Sequence, residues 1–186
     1  MEKVNVYDWD KTIFPKDSTV TFYLWCILRY PKVLKALPAA LKLLPAYFKG
    51  TISKTRVKEV FYGFLEYVPN IDHAVKRFWD QKFPKINRWY LDHQRSDDIV
   101  ISASPEFLIA VPTERLGVRL LASRVDKKTG KTEGENCWGP EKVIRLKEAY
   151  PDVEIAAFYS DSRSDSPLAE LADVAYLVKG EELLPW

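Results

Sequence analysis

The sequence predicts an α/β fold: a mostly parallel sheet of about five strands, helices on both faces, and an all-helical insertion after the first strand. Three observations predict it. Val4-Asn5-Val6-Tyr7 opens the chain as a short β-branched strand and runs into Asp8-Trp9-Asp10-Lys11-Thr12, where Asp, Lys and Thr signal a turn. Residues 16–95 then read as helices, and from residue 98 the pattern becomes strand–helix alternation.

In order, Phe14-Pro15-Lys16-Asp17-Ser18 is a connection, with Asp17 or Ser18 placed to cap a helix over Thr19 to Tyr30. Val33 to Phe48 carries apolar residues at helical spacing and stops at Gly50. Ser53 caps the next helix, whose stripe runs Val57, Val60, Phe61, Phe64, Leu65 and Val68. Asn70 caps another through Trp79, broken at Pro84 before Ile86 to His93 resumes. Asp98 to Ser104 is the second strand, with Ser104-Pro105 as cap and first position of a helix through Leu108. Gly117 to Ser123 is a third strand and Lys127 to Gly134 a polar turn or hairpin. Gly139-Pro140 opens a helix through Leu146, Val153 to Tyr159 is a buried central strand ending at Ser160-Asp161, Pro167 to Ala172 is a short helix, and Val174 to Val178 is the last strand. Residues 1–15 and 96–186 therefore form a catalytic core and residues 16–95 a helical cap. The cap leaves after Asp8 and Asp10 and returns before Ser102, so a lid over the sheet's ligand edge is expected.

The chain has a net charge of +2, with both signs mixed along it, which offers no footprint for nucleic acid. Its two cysteines, Cys26 and Cys137, and two histidines, His73 and His93, show no metal-ligand spacing and receive no role. No signal-type segment opens the sequence, and Thr19 to Phe48, the most apolar stretch, is interrupted by Arg29, Lys32, Lys35, Lys42 and three prolines. A cytoplasmic location is expected.

Three strand ends carry polar groups: Asp8 and Asp10, then Ser102, then Asp161 with Asp165, while Lys142 starts the helix before the last of these. Phosphoryl transfer needs an in-line nucleophile, neutralised equatorial oxygens and a proton for the leaving group. Asp8 suits the nucleophile, and Asp10 suits the acid that protonates the leaving alkoxide and then the base that activates water. Two aspartates facing a dianion require a cation. Asp8, Asp161 and the Asp10 backbone carbonyl are hard oxygen ligands for Mg²⁺. Lys142 neutralises charge, and Ser102 donates to a phosphate oxygen.

The motifs D-W-D-K-T, I-S-A-S-P, G-P-E-K and Y-S-D-S-R-S-D occur in the order found in the haloacid dehalogenase superfamily, and the chain resembles its phosphoserine-phosphatase-like branch with a helical cap. The resemblance spans nearly the whole sequence and implies a Rossmann-like core, Mg²⁺ and the same roles for Asp8, Asp10, Lys142 and Asp161. Trp9 and Ala103 join Ser102 in phosphate binding, with Asp165 and Thr12 behind the metal and nucleophile. Dehalogenases of the superfamily lack the second acid, so Asp10 favours phosphate ester hydrolysis. Lys11 and Ser160 depart from the pattern, standing where such enzymes commonly have glycine. Asp17, nine residues after Asp8, matches an acidic residue that contacts the substrate amine in phosphoserine phosphatases; a plain helix cap explains it equally well.

The expectation is a phosphatase for a small, phosphoserine-like phosphomonoester, working through an aspartyl phosphate. The alternatives are a lipid-phosphate phosphatase of the phosphatidylglycerophosphate type, a phosphotransferase to an alcohol, or a phospho-ligand or partner binder without turnover. Leu24, Trp25, Leu28, Leu37, Leu41, Leu44, Tyr47 and Phe48 are expected in the core of a helical bundle; the other reading is an amphipathic lid whose Lys32, Lys35, Lys42 and Lys49 meet anionic headgroups.

Overall fold

The short alternating run at the start of the chain becomes the centre of the sheet. A computed structural model describes residues 3–186, so residues 1–2 of the expected core lie outside it. Strand β1 (Val4–Tyr7) lies between β2 (Ile99–Pro105) and β4 (Ile155–Ser160), parallel to both; β3 (Arg119–Ser123) and β5 (Ala172–Lys179) extend the parallel sheet outward, giving the order β3-β2-β1-β4-β5-β6. Strand order reverses at the β1/β4 junction, where ligands of open α/β sheets bind. Asp8 and Asp161 follow the two strands that flank it.

Strand β6 (Glu182–Pro185) adds a sixth, antiparallel member not anticipated from the sequence; it returns through Gly180, whose φ of 63° suits a tight hairpin.

Alternation along β1 and β2 divides the core into two buried clusters. Tyr7 and Val100 face one side with Trp9, Phe14, Phe22, Trp79 and Leu108, whereas Val6, Ile99 and Ile101 face the other with Phe158, Leu146 and Leu168. The second cluster is covered by α7 (Pro140–Ala149) and α8 (Ser166–Ala169), the first by α6 (Glu106–Leu116) and by helices from between β1 and β2.

Those helices are α1 (Ser18–Ile27), α2 (Leu37–Phe48), α3 (Lys54–Tyr62), α4 (Ile71–Lys82) and α5 (Arg88–His93). Asp17, Ser53 and Asn70 cap α1, α3 and α4 through side-chain oxygens that accept backbone N–H bonds. The single helix expected from Val33 is a 3-10 segment over Pro31–Ala36 followed by α2; Pro38 fits the first turn of α2, and Pro45 lacks the N–H that would bond four residues back. The stripe expected to continue α3 tightens into a 3-10 segment at Gly63–Tyr67. Helix α4 is tied to the core by Trp79, whose indole N–H donates to the Leu108 carbonyl at 2.6 Å, and one buried aromatic cluster runs through the insertion and the sheet face.

The bundle-core expectation fails for four of the eight named residues, while Leu37, Leu44 and Tyr47 are half-buried. Trp25 is buried, but Leu24, Leu28, Leu41 and Phe48 are exposed, and Ala40 is the one buried residue of α2. Helical spacing shows that a helix has an apolar face without showing that anything covers it.

Candidate active site

The site grows from the turn after β1. Asp8 N–H donates to the Tyr159 carbonyl at 2.8 Å, which fixes the nucleophile candidate against β4. The Trp9 carbonyl then accepts from Thr12, Ile13 and Phe14, closing a tight turn that aims Asp8 and Asp10 into one cavity. Lys11 makes the turn possible with φ of 59°, the left-handed conformation that glycine adopts freely; the lysine keeps the loop shape at a cost of about 1–2 kcal/mol. Thr12 is fully buried, and its hydroxyl accepts the Asp161 N–H at 2.9 Å, joining the two strand ends.

Gly139 brings in Lys142. Its φ of 58° and ψ of −128° start α7 at an angle a side chain would resist. Lys142 Nζ, buried, donates to Asp8 Oδ1 at 2.6 Å and to Asp165 Oδ2 at 2.7 Å. Ser160 also donates to Asp165 Oδ2, at 2.8 Å, so the residue departing from the family pattern supports the same carboxylate. Burial works against the Lys142 charge, yet Asp8 and Asp165 outweigh it and hold the ammonium above its ordinary pKa. Burial pushes the Asp8 carboxyl up, to about 7, with Asp165 adding to the rise and Lys142 opposing it. Two buried carboxylates share one ammonium, so the site keeps an excess of negative charge.

Asp10 is held differently. Oδ1 accepts the Ser18 N–H at 2.7 Å, and Oδ2 accepts the Ser104 hydroxyl at 2.5 Å. Burial and the charge of Asp17 push its carboxyl up to about 6 against these donors. Ser104 is therefore a site residue and not the helix cap expected from sequence; Pro105 occupies the cap position of α6 with no side-chain bond. Ser102 is buried and absent from the cavity wall, its hydroxyl accepting the Ser104 N–H at 3.1 Å, while Ala103 and Ser104 line the cavity. Trp9 also lies outside the wall: its indole is buried against Trp79 and donates to Ser18 Oγ at 2.8 Å. Asp17 does two things at once, capping α1 and lining the cavity.

The cavity measures about 450 Å³, and the insertion supplies one wall of it. On α3, Lys54, Val57, Lys58 and Phe61 share a face through i, i+3, i+4 and i+7 spacing and turn inward. Lys58 Nζ donates to the Ala103 carbonyl at 2.7 Å and to Asn136 Oδ1 at 2.8 Å, and burial lowers its pKa to about 8. Lys54 Nζ lies 4.4 Å from the centre of the Trp138 ring. None of these was singled out from sequence as a site residue, Val57 and Phe61 being read only as part of an apolar helix stripe. The spacing on α3 was readable, but the docking of that face onto the end of β2 was not.

Among the described residues, no three Asp, Glu, His or Cys side chains close on one point as a metal cage. Mg²⁺ does not need one, since it commonly takes one or two carboxylates and completes its shell with water and substrate phosphate. Asp8 and Asp161 fit that requirement. Both line the cavity, and burial raises the pKa of each.

The model of the haloacid dehalogenase-like hydrolases matches residues 6–170. The chain belongs to that family. Protein CicA of Caulobacter vibrioides is 28% identical, over 90% of this chain and 82% of its own. Among solved structures, a protein of unknown function from Bordetella pertussis Tohama I superposes with a TM-score of 0.75 at 22% identity, covering 95% of this chain and 90% of that one. A phosphoserine phosphohydrolase-like protein from Francisella tularensis gives 0.58 at 16% identity, covering 95% and 87%. These structural likenesses show the hydrolase's fold; the chemistry rests on the cavity.

Proposed function

We propose that this hydrolase is a Mg²⁺-dependent phosphomonoesterase that forms a phospho-enzyme on Asp8, with residues 16–95 acting as its cap. The observation that carries this reading is the pair of differently held carboxylates: Asp8 bonded to Lys142, and Asp10 bonded to the Ser104 hydroxyl and the Ser18 N–H, both facing one cavity. Asp8, Asp161 and the Asp10 carbonyl would hold Mg²⁺, which when bound would neutralise charge on the phosphate and the carboxylates.

Asp8 attacks phosphorus while the bond to the leaving oxygen breaks and Asp10 gives that oxygen a proton. A carboxyl with its pKa raised to about 6 holds such a proton better than an ordinary aspartate does near neutral pH. Water then attacks phosphorus, the bond to Asp8 breaks, and Asp10 takes the water's proton. Lys142 orients Asp8 throughout. Ala103 and Ser104 present the end of β2 to the phosphate, with Ser102 holding that turn through its hydroxyl.

The far wall carries both signs of charge, Asp17 against Lys54 and Lys58. That lining supports a small phosphomonoester with an amine and an acidic group, of the phosphoserine type. The test is phosphate release from a panel of phosphometabolites with Mg²⁺, for the wild type and Asp8→Asn. Turnover by the wild type and at least a thousandfold loss in the variant are expected. A fully active variant overturns the nucleophile assignment, and an inert wild type points to binding without turnover. Added alcohols that yield new phosphate esters would make the protein a phosphotransferase.

A further inference from the structure

The insertion carries charge in a way that the overall net charge of +2 conceals. Between Asp17 and Glu59 the sequence has eight lysines and arginines and no carboxylate. The structure accounts for half of them: Lys54 and Lys58 turn into the cavity, Arg56 pairs with Glu59 at 3.3 Å, and the Arg29 guanidinium lies 3.8 Å from the Trp25 ring centre. Lys32, Lys35, Lys42 and Lys49 remain exposed, with no carboxylate within 4.0 Å among the described residues.

Bulky apolar side chains stand exposed between these lysines. Leu28 is 81% exposed, Phe48 80%, Leu24 55%, Leu41 53% and Leu34 44%. Along α1 and its C-cap, Val20, Leu24 and Leu28 follow one another at a spacing of four, and Val20 lines the cavity. On α2, Leu41 and Phe48 lie two turns apart on one face. Isolated exposed leucines need no explanation, but this concentration, interleaved with unpaired lysines, does.

We infer that the flank formed by α1, the 3-10 segment over Pro31–Ala36 and α2 docks on the surface of an anionic lipid bilayer. Leu28 and Phe48 enter the boundary between headgroups and acyl chains, and the four lysines meet lipid phosphates. A nucleic acid would match the charge but leave the leucines in water. A bilayer satisfies both. No helix among the described residues is long and apolar enough to cross a membrane, so the attachment is peripheral. It is independent of the phosphatase reading, because it needs no turnover.

Co-sedimentation of the full chain with vesicles tests the inference. Vesicles of phosphatidylcholine mixed with phosphatidylglycerol are expected to carry the protein down, phosphatidylcholine alone is not, and salt should weaken the binding. Replacing the four lysines by alanine should lower partitioning about fivefold for each lysine. Leu28→Glu with Phe48→Glu should abolish binding while leaving the far-UV circular dichroism intact, since both side chains already face water. Equal partitioning on both vesicle types overturns the inference. So does a stable dimer in light scattering that the Glu variant dissociates, which would make the patch a self-association surface.

Discussion

Replacing Lys142 by methionine isolates the electrostatic centre of the site. The methylene stem and the volume survive, but the ammonium that bonds Asp8 at 2.6 Å and Asp165 at 2.7 Å is lost. Both carboxylates stay buried, and Asp165 Oδ1 already has no hydrogen-bond partner among the described residues. Removing one member of a buried ion pair costs about 3–5 kcal/mol, because the remaining charge is uncompensated. With a urea slope of about 2 kcal/mol/M for a chain of this size, the midpoint should fall by about 1.5–2.5 M. The loss must depend on pH. Without the lysine, burial holds the Asp8 carboxyl above its unfolded-state pKa with less to oppose it, so the native state binds more protons and the deficit shrinks as pH falls. Urea titrations followed by tryptophan fluorescence, in metal-free buffer near pH 7.5 and near pH 5.5, measure both effects. A midpoint shift below about 0.5 M at the higher pH, or a deficit that grows on acidification, would refute the shared-ammonium account.

The other predictions concern the two walls of the cavity. Ser104→Ala removes a hydroxyl that donates to Asp10, so the Asp10 carboxyl should titrate higher and the alkaline limb of the kcat/KM pH profile, which needs Asp10 protonated, should move to higher pH; an unmoved limb would show that this bond does not tune the acid. Gly130 has φ of 72°, and a Cβ there would come within 2.7 Å of Tyr62 Cβ at the end of α3. Gly130→Ala should therefore cost roughly 1–3 kcal/mol by overpacking and a strained backbone, read as a lower melting temperature, and an unchanged melting curve would contradict the close approach.

Much of the site could be read from local sequence. D-W-D-K-T after a short strand, lysine three residues past Gly139, and two aspartates after an unbroken apolar strand specify residue types and the elements that carry them. The structure brings Asp8, Asp10, Lys142, Asp161 and Asp165 to one cavity, and it shows Lys11 adopting the backbone conformation of the glycine it replaces. Asp17, for which cap and substrate contact were competing readings, caps α1 and also lines the cavity, because the start of α1 itself forms the cavity rim. Ser104 was misread for a comparable reason. A serine before a proline has the local signature of a cap, but a distant carboxylate supplies a stronger partner than the helix does.

What the sequence by itself determined was the order of β1 to β5 and the helices between them, caps at Ser53 and Asn70 and at Asp17 or Ser18, and the chemical types at the strand ends, all of which follow from neighbours a few residues apart. Only the tertiary structure decided which faces were covered. Docking of α3 over the end of β2 turned Lys54 and Lys58 into cavity residues, and the packing of α2, which fully buries only Ala40, left Leu41 and Phe48 in water. Periodicity defines a face within one helix, whereas burial of that face depends on surfaces brought together from far along the chain.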